Sequence, residues 1–509
     1  MKLLKRRCVN TLLWVGLLLF VGVGVQCSSE DDTPEPQPVN IDGNLDDDDQ
    51  AVSLEGDLQI SDFVWQGLNL YYYWQAQVPA LADSQFSNST TYANYINQNP
   101  NPDDFFELLL HEDDRFSWIS DDYTALQNQL QGISASNGVE FQLSYIRSGS
   151  DDLVGIVTHI LADSDAVGKN IQRGDTFIGV DGQTLTASNY RSLLYGEGLN
   201  YTLNLADYIG GNFVLNGTNV ELTKEVDFQK DPIQTSTVLN VGGQRIGYLM
   251  YNQFLSSFET DLNEEFATFS SSALDAFVLD LRYNPGGSVS NCARLASMLT
   301  GQFNGEIFAQ QIWNSKLMDY WEGRDPESLI NRFVNTLEDG SALNSLNLNT
   351  IYILTTDRSA SASELLINGL ASHINVIHVG EQTTGKNVGS ITVYDYIDND
   401  GTKNPDHTYA MQPIVLKIAN SDGFADYAEG LVPDTAVNES LTDLGILGNP
   451  NERLLGAAIN LITAKTISKA ALEAPELLGG KILDPDTARK QQMFLDLTMD
   501  LDFFTAVRK

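Results

Sequence analysis

Apolar residues follow several different rhythms along this chain. From about residue 229 to 445, short unbroken apolar runs alternate with stretches of helical spacing. Ile351-Tyr352-Ile353-Leu354 and Val376-Ile377-His378-Val379-Gly380 read as buried strands, and Leu365-Leu366-Ile367-Asn368-Gly369-Leu370 between them as an apolar helix face. Strands without polar alternation need cover on both faces, and strands alternating with helices predict a parallel sheet. Residues 136–228 carry shorter β-type runs, among them Val154-Gly155-Ile156-Val157, broken by glycine turns. Upstream, the spacing of Trp65, Leu68, Leu70, Tyr71 and Trp74 predicts a helix between Asp62 and Leu81, and Phe105 to Leu110 predicts another. Residues 446–509 read as closing helices, with Met493, Leu495, Leu497 and Leu501 as core candidates. The fold class is therefore α/β in an α+β multidomain arrangement: helical over 57–135, β-rich over 136–228, an α/β core over 229–445, and helical to the end.

The first residues do not belong to that pattern. Lys2, Lys5, Arg6 and Arg7 precede a short apolar core from Thr11 to Val25, which is too brief to span a bilayer as a mature helix and reads as an export signal. It ends at Cys27, followed by Ser28-Ser29-Glu30-Asp31-Asp32, and resembles a lipoprotein signal whose cysteine becomes the lipidated first residue. Gln26 stands where a small residue usually precedes that cysteine, so cleavage without lipidation stays open. Residues 28–56, with Pro34, Pro36, Pro38 and the run Asp46 to Asp49, cannot bury a core and read as a disordered acidic tether.

Charge narrows the partners. The formal net charge is −39, and no lysine or arginine occurs between Arg7 and Arg115. Nucleic acid and anionic lipid surfaces are poor partners for such a chain, leaving membrane association to the lipid anchor alone. Of three cysteines, Cys8 lies in the signal and Cys27 at its end, so only Cys292 remains. That excludes an internal disulfide or a cysteine-based metal site in the mature chain.

The chemistry gathers at Arg358-Ser359-Ala360-Ser361-Ala362-Ser363-Glu364, which falls on the strand-to-helix turn. Ser361 with Glu364 three residues later is also a capping box, which needs no catalysis. What adds chemistry is Lys386, 25 residues after Ser361, behind a second strand and a Thr383-Thr384-Gly385 turn. The two residues would then end neighbouring strands on one edge of the sheet. A desolvated lysine falls below its ordinary pKa of about 10.4 and can serve serine as a neutral base.

These residues resemble the C-terminal processing (tail-specific) serine peptidases. The resemblance makes Ser361 the nucleophile and Lys386 the base, and implies a crotonase-like peptidase core. Asp280-Leu281-Arg282-Tyr283-Asn284-Pro285-Gly286-Gly287 is similar to the family's strand and glycine turn, so Gly286 or Gly287 and Ala362 are implied to hold the oxyanion. Gly247-Tyr248-Leu249 and Gly430-Leu431-Val432-Pro433-Asp434 match further landmarks, extending the resemblance over about 60–440. Two positions depart from it: Ser390 four residues after the lysine, where many members carry Gln, and Ser372 eleven after the serine, where some carry an acid. Residues 136–228 resemble a PDZ domain, whose Gly138, Val139, Glu140 and Phe141 are implied to capture a peptide carboxylate and add the peptide to a sheet edge.

Other candidates are weaker. Among the five histidines, only His373 and His378 flank the dyad segment, and a triad through either is the alternative to lysine. The apolar residues Leu317, Met318, Tyr320, Trp321, Leu329 and Phe333 fall in a long insertion, 310–345, that reads as a lid. Asp398-Asn399-Asp400-Gly401 hints at a calcium loop but lacks its first and twelfth ligands. The expected protein is an exported serine endopeptidase acting on C-terminal or unstructured polypeptide segments, with no metal or cofactor and undefined oligomeric state. The alternative is a peptide-binding lipoprotein of little turnover.

Overall fold

The computed structural model describes residues 54–465, apart from 85, 87, 399 and 442, together with 479–480 and 492–495. The export signal with Cys27, nearly all of the tether, and Leu497 and Leu501 lie outside the described residues.

The central sheet runs in the order Ile233–Val241, Gln244–Tyr251, Ala276–Asp280, Thr350–Thr355, Asn375–Gly380 and Thr435–Ala436. Its first two strands form an antiparallel hairpin, and every later pairing is parallel. Successive side chains of a strand point to opposite faces, and here both faces are dry. Leu249, Tyr251, Phe277, Leu279, Ile351 and Ile353 join one hydrophobic cluster, whereas Ile246, Tyr248, Met250, Val278 and Leu354 join the other. Helices Glu259–Ser271, Val289–Thr300 and Ala362–Ala371 cover the first face with Phe266, Leu295 and Leu366, and helix Arg453–Ile462 covers the second with Leu454 and Leu455. This double cover is why the strands read as unbroken apolar runs.

A second sheet follows the order Gly286–Ser288, Gln492–Phe494, Val388–Ser390, Ile414–Asn420, Ile307–Trp313 and Ile330–Arg332. It takes in two pieces of the segment expected as a lid, 310–313 and Ile330–Arg332. Leu317, Leu329 and Phe333 are buried in the main cluster, and 309–313 pair with 416–420, so these parts of 310–345 are fixed to the core while 322–327 are exposed.

The β-rich part has strands Val139–Tyr145, Leu153–Ile160, Thr176–Val180, Asn200–Ile209 and Asn212–Thr223 in that order, and a short helix, Tyr190–Leu194. Its core is its own, built on Leu153, Val157, Phe177, Leu203 and Leu222. The last two strands meet at Gly210-Gly211, both at positive φ (59° and 86°), as a tight hairpin turn requires.

The N-terminal helices have no separate core. Helix Asp57–Tyr71 and helix Pro102–Leu108 put Phe63, Val64, Leu68, Phe105 and Phe106 into the main cluster. The predicted helix to Leu81 stops at Tyr71. Beyond it the Tyr73 N–H donates to Ile414 O at 2.9 Å, and short 3₁₀ turns carry the chain through Pro79.

Candidate active site

Strands Thr350–Thr355 and Asn375–Gly380 are parallel neighbours with Thr355 opposite Gly380, so the segments carrying Ser361 and Lys386 leave the same edge of the sheet. Ser361 precedes helix Ala362–Ala371 with φ +64° and ψ −114°, a backbone that L-residues adopt only under constraint. The constraint comes from packing around Asn284. Its carbonyl accepts from the Ala360 N–H (3.1 Å) and the Ser363 hydroxyl (3.0 Å), and its side-chain amide donates to Tyr251 O (2.9 Å). Ser361 is fully buried, and among the described residues its Oγ has no hydrogen-bond partner. A buried hydroxyl left unsatisfied costs free energy, and such groups gather where chemistry is done.

Glu364 supplies what sequence alone reads as half a capping box. Its Oε2 accepts from the backbone N–H of Ser361 (2.7 Å) and of Lys386 (2.8 Å), while Oε1 accepts from the Gly385 N–H (2.7 Å) and the Thr383 hydroxyl (2.5 Å). Burial pushes the carboxyl up, and these four donors pull it back. One side chain thus ties the turn before the helix to the turn bearing the lysine.

Lys386 is 2% exposed, and burial drives its ammonium down to about 7, against the pull of the Asp114 and Glu364 carboxylates. Its Nζ sits 4.9 Å from the centre of the Phe116 ring. The adjoining Arg115 donates to Gly385 O (2.6 Å) and Ala428 O (2.9 Å), fastening the N-terminal segment over the lysine. Asp114, Arg115 and Phe116 escaped the sequence reading because they lie some 270 residues from Lys386, and only the absence of other cations nearby marked Arg115.

The oxyanion candidates separate. The Gly286 N–H donates to Asn284 Oδ1 at 2.8 Å, which removes Gly286 from the list. Gly286 O accepts from Phe254 N and the Ser288 N–H donates to Phe254 O, both at 2.9 Å. Strand alternation then turns the Gly287 N–H away from Phe254. A Cβ on Gly287 would lie 2.2 Å from Phe254 O, so the close approach requires glycine. Ala362 is the first residue of its helix, whose N–H lacks a partner one turn back.

The two candidate histidines are bonded to other groups. His373 Nε2 lies 2.9 Å from Ile307 O, and His378 Nε2 lies 2.5 Å from the Thr355 hydroxyl, with burial driving His378 down to about 4. Ser372 is bonded within its own helix end, to Gly369 O (3.0 Å), and accepts from the Ser421 hydroxyl (2.8 Å). Ser390 Oγ donates to Met493 O at 3.2 Å. At the expected carboxylate loop, the Gly138 N–H donates to Ser136 Oγ and the Val139 N–H to Asn137 Oδ1, both at 3.1 Å. Those two donors are therefore spent inside the turn rather than offered to a ligand. Glu140 pairs with Lys230 at 2.9 Å, and Phe141 packs edge-on to Phe177. Among the described residues, no group of three or more His, Cys, Asp or Glu is placed to hold a metal ion, and no helix is long and apolar enough to cross a membrane.

Comparison with known proteins agrees with this architecture. Residues 245–417 match the model of peptidase family S41, and residues 59–118 match that of the peptidase S41 N-terminal domain. The probable CtpA-like serine protease of Staphylococcus haemolyticus is 25% identical over 313 residues, covering 58% of this chain and 54% of that protein. The carboxyl-terminal-processing protease of a Synechocystis species is 24% identical over 310 residues, covering 60% of this chain and 64% of that protein. The chain thus spans about half to two thirds of the length of these curated relatives. The crystal structure of a protein named as an S41 protease from Bacteroides fragilis shares the fold, with a TM-score of 0.62 at 23% identity, over 82% of this chain and all of that one. The stretch holding the Ser361 turn, the Asn284 turn and Lys386 thus lies within the match to the model of peptidase family S41, and the match to the N-terminal domain model of the same family precedes it.

Proposed function

We propose that the protein is an exported serine endopeptidase that cuts polypeptides near their C-termini or within unstructured segments, using Ser361 and Lys386. The observation that carries this reading is a buried lysine, neutral above about pH 7, whose backbone shares one carboxylate oxygen with the backbone of a strained serine. The reading requires Ser361 Oγ to come within hydrogen-bond reach of Lys386 Nζ. The lysine takes the hydroxyl proton as Oγ attacks the carbonyl, and the Gly287 and Ala362 N–H groups hold the tetrahedral oxyanion. The same lysine then protonates the leaving amine, and water activated by the neutral lysine frees the acyl group.

Similarity to carboxyl-terminal-processing proteases supports the substrate class. The place of Val139–Tyr145 as an edge strand of the β-rich sheet supports a PDZ-like role in binding extended peptide, by strand addition rather than through the Gly138 turn. Lipidation at Cys27, facing the periplasm or cell surface, belongs to the same proposal and rests on the signal-like sequence. The second reading is a peptide-binding lipoprotein of little turnover, favoured by the lack, among the described residues, of a hydrogen bond to Ser361 Oγ. A serine-directed acylating probe separates the two: covalent capture at Ser361, lost in Ser361→Ala and in Lys386→Ala, is the expected result. No capture by the wild-type chain, with cleavage of an unfolded protein also absent, would leave the binding reading.

A further inference from the structure

A strand from the chain's own closing segment lies between the strand bearing Gly287 and the strand that follows Lys386. Gln492–Phe494 is inserted between Gly286–Ser288, which carries the oxyanion glycine, and Val388–Ser390, which starts two residues after the base. It runs parallel to both, with Met493 opposite Gly287 and Phe494 opposite Ser288 and Ser390. The Leu495 N–H donates to Ser390 O at 3.1 Å, and Ser390 Oγ donates to Met493 O at 3.2 Å. Met493 is fully buried, and Leu495, on the same side of the strand, is 8% exposed.

The direction of the Gly287 N–H makes this position informative. Gly286 O and the Ser288 N–H are both used by Phe254, so the Gly287 N–H and C=O turn to the opposite edge, where Gln492–Phe494 lies. A peptide to be cut must place its scissile carbonyl on that same edge. A second contact comes from the same closing part of the chain. Gly480 O accepts from the Tyr145 N–H (3.0 Å) and the Ser144 hydroxyl (2.8 Å), and the Gly479 N–H donates to Tyr145 O (2.9 Å), on the open edge of the β-rich sheet. Both places where the proposed function needs extended peptide thus hold main chain from this segment.

We propose that residues 492–495 are a built-in occupant of the substrate cleft, competing with substrate. The inference rests on the reading of the cleft given above. It also specifies the substrate: an extended segment added as a parallel strand between Gly286–Ser288 and Val388–Ser390, with an apolar side chain at the Met493 position and a second two residues later. Ser390 spends its hydroxyl on the occupant's main chain, at Met493 O.

The test uses the full-length chain with Met493→Asp, which puts a carboxylate into a dry site, and Phe494→Pro, which removes a strand N–H. Met493→Leu is the conservative control. If the segment fills the cleft in about nine molecules of ten, opening it raises probe acylation and kcat/KM about tenfold. Met493→Asp and Phe494→Pro should show that rise and Met493→Leu should not, and a synthetic peptide of residues 488–499 should inhibit the opened variants in competition with substrate. In a Ser361→Ala background, the fluorescent peptide should bind the Met493→Asp chain more tightly than the chain with Met493 intact. This binding readout needs no catalysis, so it stands even if Ser361 is not the nucleophile. Unchanged or slower acylation in Phe494→Pro, with peptide binding no stronger once the segment is altered, would make the strand a fixed part of the sheet and overturn the proposal. Should Met493→Asp fail to fold, Phe494→Pro and the same peptide titration decide.

Discussion

Ser361 and Lys386 donate their backbone N–H groups to one oxygen, Glu364 Oε2, at 2.7 and 2.8 Å. Two turns from different strands are thereby held in fixed relation by a buried carboxylate, whatever rotamer either side chain adopts. Pre-set geometry of this kind is worth orders of magnitude in rate, because a misplacement of about 1 Å costs roughly a hundredfold.

Glu364→Gln should therefore lower kcat by about a hundredfold while altering KM little. The amide keeps one acceptor oxygen but turns its NH₂ toward donors. The associated loss of stability is about 1–3 kcal/mol. Steady-state kinetics and thermal melts of the variant check both, and unchanged kcat would remove the clip from catalysis.

Lys386 sets a pH window. Folded, it is neutral above about pH 7, whereas an unfolded lysine keeps its proton to about pH 10.4. Between those values the unfolded chain binds more protons, so stability rises with pH there, and the full penalty applies below 7. Lys386→Met should be inactive yet more stable than wild type by about 1–2 kcal/mol at pH 6. That advantage should shrink as pH rises toward 10, as followed by chemical denaturation at several pH values.

The rate should depend on the same group. kcat/KM is expected to rise through pH 7 and level off once the lysine is neutral. His378, already neutral above about pH 4, does not contribute to that limb. His378→Ala and His373→Ala should keep its position, and a drop of several orders of magnitude in either folded variant would restore the triad.

Phe116 keeps water from Lys386, so Phe116→Ala should let the lysine regain solvation. The rising limb should move up by about one pH unit or more. A limb that stays at 7 would show that other residues desolvate the amine.

Away from the site, Arg282 is buried with Asp280 (2.7 Å), Glu452 (2.8 Å) and Glu439 (3.1 Å) around its guanidinium. Arg282→Met leaves Asp280 and Glu452 without this cation and Glu439 with Arg173, and should cost about 3–5 kcal/mol. Glu439 is held down at about 2, with Arg282 and Arg173 opposing its burial. Its contribution is present above the ordinary glutamate range and is lost as pH falls toward 2, so acid unfolding should begin at higher pH in the variant.

The sequence by itself determined the parts that are local. Unbroken apolar runs at Ile351–Leu354 and Val376–Gly380 became neighbouring parallel strands, and the serine turn between strand and helix was legible because period and punctuation are short-range signals. The Ser361 to Glu364 spacing was legible too, but its meaning was not. Only the fold placed Gly385 and Lys386 on the same carboxylate and turned a helix cap into a clip. Gly286 and Gly287 are indistinguishable as letters, and what separates them is that the Asn284 side chain takes one N–H while Phe254 turns the other outward. The Phe116 contact with Lys386 and the strand at Gln492–Phe494 join residues far apart in the chain. Helical and strand periods report only which face of an element is apolar. Which distant segment covers that face, how dry it becomes, and hence whether an amine near it is charged, are settled by tertiary packing.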